Sequence, residues 1–303
     1  MSAPPGGADN ARGILLMSLG MTAFAVEDAF VKAASATLPA GQILLMLGLG
    51  GGVLFGAAAR RRGRRIWSAE ALHPAVLGRN LAEMFGSAAY VLALALVPLV
   101  LVTAIFQAIP LAVAMGAALF LREEVGWRRW LAILVGFAGV MVVIRPGAAG
   151  FEPAALLALL AVMGLAARDL FTRRVPSGID TTQLTTWGFL AVALIGAAQL
   201  GVTGGAVWPG AGTWWLLGGA LGAGVAAYWW LTEATRVGEL SAIMPFRYVR
   251  LLVALVIGTL AFGERPDGWT LIGAAMIVGS GLYAVWRERV RAREALSRGA
   301  APR

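Results

Sequence analysis

The chain contains no cysteine, so neither a disulfide framework nor a thiolate site is available to it. Its single histidine, His73, sits beside a proline at the edge of an apolar run. No HExxH pair, no serine-centred GxSxG turn and no glycine-rich phosphate loop with a lysine is present. These absences argue against an intramembrane enzyme of the familiar hydrolytic types, and ATP-driven transport would need another subunit. Charge is also scarce. Only 14% of the 303 residues are Asp, Glu, Lys or Arg, too few to cover the surface of a soluble domain. The net charge of +9 does not mark a nucleic-acid partner, because the arginines lie in short loops rather than on one face or arm.

What is present is apolar length. Hydrophobic residues make up 59% of the chain and the mean hydropathy is +0.78. Runs of about 20 apolar residues, enough to cross a ~30 Å hydrocarbon core, follow one another from Gly13 to Trp286. Ten spans are expected, at 13–32, 40–59, 75–96, 99–121, 130–145, 153–173, 184–203, 213–234, 241–262 and 268–286. The polar N-terminal stretch MSAPPGGADNARG runs into the first span without a cleavage site, so no removable signal peptide is expected. With both termini cytoplasmic, 18 of the 25 basic residues fall on the cytoplasmic side, including the five arginines of RRRGRR (60–65) and the six from Arg287 onward. Lys32, Arg145 and Arg265 fall on the other side. The positive-inside rule therefore favours cytoplasmic termini in a bacterial inner membrane.

The chain also repeats itself. FAVEDAFVKAAS (24–35) is echoed by LAARDLFTRRVP (165–176): Asp169 stands for Asp28, Phe171 for Phe30 and Arg173 for Lys32. Gln42 and Gln183 follow at equal separation. GSAAYVLALALVPLVLVTAI (86–105) aligns with GVAAYWWLTEATRVGELSAI (224–243), matching Tyr90 to Tyr228. Glu124 and Gly139 recur as Glu264 and Gly279. Residues 1–147 and 148–303 thus form two five-span repeats, the second with a C-terminal tail. Five is odd, so the halves must be inverted about a pseudo-twofold axis in the membrane plane, with a binding site expected at their interface. The fold class is an all-α polytopic membrane protein of ten transmembrane helices in two inverted five-helix repeats.

An acid after the fourth helix of each half (LFLREEVGW, LAFGERPDGW) and GFAGVMVVIRPG closing the first half make the chain resemble the drug/metabolite transporter superfamily, in its EamA-type members. The resemblance covers nearly the whole chain. It implies a secondary transporter for amino acids, S-adenosylmethionine, riboflavin or other small metabolites, alternating access by rocking helices around a central cavity.

Ionisable groups inside spans are functional candidates, because each costs at least ~2.5–3.5 kcal/mol at a helix centre. Glu83, Arg247 and Arg250 lie deepest, and Arg79 and Arg168 lie nearer the cytoplasmic side. Arg79, Glu83 and Tyr90 share one helix face by spacing, either as an intrahelical pair or as a cavity wall in which Glu83 meets a substrate ammonium or a proton. Arg247 and Arg250, three apart and just after the kinking Pro245, offer forks for a carboxylate or phosphate. Gln107, Tyr228 and Trp229 complete the substrate-binding set, Gln107 as a hydrogen-bonding group and the rings as faces for a planar or cationic substrate. Asp28–Lys32 and Asp169–Arg173 are expected as i,i+4 ion pairs at opposite mouths of the pathway. Asp28, Arg168 and Asp169 are gating candidates, and Glu27, without a local partner, is a candidate for proton coupling. The expected cargo is a small zwitterionic or anionic metabolite, most simply an amino acid. S-adenosylmethionine and riboflavin are the alternatives, and a lipid flippase or intramembrane enzyme the reading from another class. A monomer in a lipid bilayer, with no cofactor, metal or nucleic acid, is expected.

Overall fold

The long apolar runs all become helices. A computed structural model describes residues 7–123, 126–148, 151–237 and 240–299, and among these no strand occurs. Twelve α-helices form: α1 (Gly7–Ala34), α2 (Ala40–Arg61), α3 (Pro74–Leu96), α4 (Leu99–Phe106), α5 (Ile109–Phe120), α6 (Trp127–Ile144), α7 (Ala155–Thr172), α8 (Thr181–Thr203), α9 (Ala211–Val237), α10 (Leu240–Ile243), α11 (Val249–Phe262) and α12 (Gly268–Gly299). They make ten spans, because α4 with α5 and α10 with α11 each form one. Eight of the ten are long and apolar enough to cross a membrane by length and composition. The other two are α3, diluted by Arg79, Asn80 and Glu83, and α9, diluted by glycine and tryptophan.

The expected ten spans are present, but two are not continuous. The fourth breaks between α4 and α5 at Gln107–Ala108, and the ninth passes through a 3-10 turn at Met244–Tyr248. Pro110, in the first turn after the first break, and Pro245, within the second, donate no hydrogen bond to the carbonyl four residues earlier. α4 has eight residues, so its break lies about 12 Å into the span. Exposed backbone at that depth is tolerated only against protein or water.

Helix partners follow the repeat. α1 packs along α9, α3 along α7, α2 along α8 and α6 along α12. A twofold exchange of the halves converts the first of these pairs into the second and maps the last two onto themselves. The self-paired crossings also show direction. A Cβ on Gly41 would touch Gly196 and Leu200, on Gly48 it would touch Ala193, and on Gly56 it would touch Thr186. α2 therefore runs antiparallel to α8, and Gly136 near Ser280 with Gly139 near Gly273 says the same of α6 and α12. Antiparallel partners across a twofold mean inverted halves.

The matched glutamines do matching work. Gln42, in the first turn of α2, donates to the Val207 carbonyl at 2.6 Å and accepts from its amide at 3.0 Å, tying down the loop before α9. Gln183, in the first turn of α8, donates to the Arg65 carbonyl at 2.7 Å, tying down the loop before α3. It also completes a capping box with Asp180.

The glycines of α2 permit backbone contact with α8, the usual role of small residues between membrane helices. A Cβ at Gly48 would lie 2.5 Å from the Ala193 nitrogen, whereas one at Gly218, on the outer side of α9, meets nothing within 4 Å. Gly48→Ala is therefore expected to destabilise the protein by about 1–3 kcal/mol and Gly218→Ala to leave it unchanged. Thermal unfolding in detergent checks this, and equal midpoints would refute the contact.

Candidate functional site

Between the halves lies a cavity of about 520 Å³. Its wall includes exposed Thr172 and Thr181, at the ends of α7 and α8 beside the arginine-rich loops, so the chamber opens on that face. At the far end the lining passes into buried Val31 and Leu94 (5% and 1% exposed) and the packed core around Val97 and Leu99.

Eight charged side chains line the chamber: Glu27, Asp28, Arg79, Glu83, Arg168, Asp169, Arg247 and Arg250. Four are acids and four are arginines. Most hold one another. Asp28, 2% exposed, takes a two-pronged contact from Arg250, with Nε 2.9 Å from Oδ2 and Nη2 2.8 Å from Oδ1. The Tyr90 hydroxyl donates to Asp28 Oδ1 at 2.8 Å and accepts from Arg250 Nη2 at 2.9 Å. The rings of Phe106, Phe24 and Tyr90 surround the Arg250 guanidinium at 4.7, 5.2 and 5.8 Å. A planar, delocalised cation suits such a cage better than an ammonium would. This buried knot joins α1 and α3 of the first half to α11 of the second.

A second cluster sits nearer the open face. Glu83 pairs with Arg79 one turn before it, at 3.4 Å, and with Arg168 of α7 at 3.3 Å. Arg168 also reaches Asp169 at 2.8 Å. Arg79 crosses to α8, where its guanidinium lies so close to Gly188 that a Cβ there would fall 2.6 Å from Nη1. Arg79 and Glu83 thus form an intrahelical pair that also lines the chamber.

Two lining charges remain. Among the described residues, Glu27 has no hydrogen bond or ion pair, its carboxylate lying against the bare backbone of Gly224. The Arg247 side chain likewise has neither; only its backbone carbonyl is engaged, accepting from Gln107 Nε2 at 3.4 Å. Gln107 therefore bridges the two broken spans. Tyr228 lines the wall, its hydroxyl 3.3 Å from Thr185 Oγ1 and its ring edge-on to Phe55 at 5.4 Å.

Three expectations need correction. Asp28 does not pair with Lys32, nor Asp169 with Arg173. Lys32 turns to Glu264 at 3.7 Å and Arg173 to Glu123 at 2.8 Å. A buried carboxylate favours a rigid two-pronged partner with a further donor over a neighbouring ammonium. Asp28 consequently lies deep in the chamber rather than at a mouth. Trp229 is not in the wall. It is 63% exposed, because one residue beyond inward-facing Tyr228 is about 100° round the helix. It joins the outward tryptophans, such as Trp208 and Trp269 at 86% and 58% exposed, which suit membrane interfaces. Glu124 lies outside the described residues.

Sequence reasoning missed the depth and form of the breaks, although a signal for them exists. Matched positions are 138 residues apart at Ile105/Ile243 and 140 apart at Gly139/Gly279. Two extra residues therefore enter the second half between those points, where the 3-10 turn carries Arg247.

Residues 11–145 and 152–286 each match the EamA-like transporter family. The chain belongs to that family. Among curated relatives, the S-adenosylmethionine uptake transporter of Rickettsia bellii is 26% identical over 220 residues, 70% of this chain and 72% of that one. The riboflavin transporter of Rhizobium johnstonii is 33% identical over 219 residues, 72% of each chain. The pseudopaline exporter of Pseudomonas aeruginosa is 27% identical over 267 residues, 88% of this EamA-like chain and 93% of the exporter. A solved crystal structure superposes with a TM-score of 0.59 at 22% identity, covering 92% of this chain and 98% of its own, a likeness of fold. The repeated match fits the two inverted halves, and the relatives are named as carriers of chemically different cargo.

Proposed function

We propose that this EamA-like protein is a secondary transporter, alternating access across a bacterial inner membrane, for a small metabolite carrying an amino-acid head group. The observation that carries this reading is the pair of uncommitted charges. Six of the eight chamber charges satisfy one another, leaving one carboxylate, Glu27, and one guanidinium, Arg247. A zwitterion completes both, its carboxylate on the Arg247 fork and its ammonium on Glu27. A desolvated charge left without a partner is costly, which gives such a substrate its selectivity. By the positive-inside rule the arginine-rich open face is the cytoplasmic one, with both termini on that side.

S-adenosylmethionine satisfies the same requirement and adds a planar base. The aromatic wall of Phe24, Tyr90, Phe106, Phe189 and Tyr228 favours such an extension, and the S-adenosylmethionine uptake relatives support it. Proteoliposome uptake of labelled amino acids, S-adenosylmethionine and riboflavin, with and without a pH gradient, tests the proposal. The transported compound is expected to lose about a hundredfold in apparent affinity when its carboxylate is esterified or its amine acylated. Undiminished transport of both blocked analogues would sink it.

A further inference from the structure

Among the ties between the halves at the mouth opposite the arginine-rich loops, which include Arg145–Asp267 and Gln42 with Val207, one arrangement is buried against helix ends. Lys32, at the end of α1, donates to the Val97 carbonyl at 2.7 Å and the Leu94 carbonyl at 3.2 Å, at the C-terminal end of α3. Glu264, beyond α11 in the second half, accepts from the Leu99 and Val100 amides at 2.6 and 3.0 Å, at the N-terminal end of α4. The cation sits at the negative end of one helix dipole and the anion at the positive end of the next. The two side chains are 3.7 Å apart and largely buried, at 16% and 9% exposed. The Lys32 ammonium also lies 5.7 Å from the centre of the Phe262 ring. The turn between α3 and α4 is therefore held from both sides, by α1 of its own half and by the loop after α11 of the other.

The opposite mouth differs. The repeat matches Lys32 to Arg173, whose pair with Glu123 is 48% and 46% exposed. One mouth has its cation buried against helix ends, and the other has its cation in an exposed pair. Removing Glu264 from the α4 terminus is the least that separating the halves on this side requires.

We infer that Lys32 and Glu264 are the latch of the closed mouth, released each time the chamber turns to that face, with Arg173 held only by an exposed pair at the open one. This rests on the alternating-access reading. The native absence of cysteine makes a direct test possible. Val91, buried in the chamber wall at 7% exposed, is replaced by cysteine, and a membrane-impermeant maleimide is added from either side of sealed, oriented vesicles. Lys32→Met removes the cation while leaving the α4 cap. Glu264→Gln weakens the same pair from the other side and keeps an acceptor for the Leu99 amide. In both, labelling from the face opposite the arginine-rich loops is expected to rise about tenfold over the Val91→Cys parent, and labelling from the arginine-rich face to fall. Lys32→Arg should label as the parent does.

Parent-like labelling of both Lys32→Met and Glu264→Gln would overturn the latch. Uptake on the same vesicles separates the two ideas. Transport with unchanged labelling leaves the transporter and removes the latch, whereas a mouth that opens without moving any screened substrate keeps the latch and removes the transport reading.

Discussion

Replacing Asp28 with alanine is expected to cost about 3–5 kcal/mol of stability, because it strands a buried guanidinium. Arg250 is 12% exposed and its forked contacts go to Asp28. Arg250→Ala should cost a similar amount by stranding the carboxylate. The double substitution Asp28→Leu with Arg250→Met, which removes both charges and keeps volume, should recover most of the loss. Denaturant or thermal unfolding of the purified variants in detergent measures this. A double variant no more stable than either single one would show that the pair does not hold the halves together.

Arg247→Ala is expected to do the reverse, impairing transport while sparing the fold. Its side chain has no hydrogen bond or ion pair among the described residues, and Asp169, the acid that attracts it, is already held by Arg168, so removal breaks no direct contact. Apparent affinity for the substrate should fall about a hundredfold, the scale of losing one desolvated charge contact, and the unfolding midpoint should stay at the wild-type value or rise. Arg247→Lys keeps the charge and loses the fork, so it should lie between the two. Unaltered uptake by Arg247→Ala would remove the proposed carboxylate site. Three residues apart in one span, the two arginines would by these two outcomes separate into a structural group and a binding group.

The spans were legible in the sequence because a bilayer imposes a fixed apolar length, and the inversion because an odd number of spans per repeat allows nothing else. Long-range partners were not legible. Spacing along α1 offered Lys32 to Asp28, but the deciding energies come from Tyr90, 62 positions away, and Arg250, 222 positions away. Glu264 appeared only as a repeat-matched acid after the fourth helix, since nothing local reveals that it caps α4. Trp229 was misplaced because composition gives no helical phase, and its neighbour Tyr228 occupies the inward position. The breaks escaped hydropathy, which averages over them.

The α2·α8 and α6·α12 crossings bring each element against its own duplicate, so those contact surfaces are isologous, like the interface of a symmetric dimer. The polypeptide is in effect a homodimer whose subunits have been tethered. Tethering gives each copy an address, so Arg247 needs to exist only once. A dimer of identical subunits would be forced to carry two such guanidiniums across its axis, with no second carboxylate on the substrate proposed above to meet the spare.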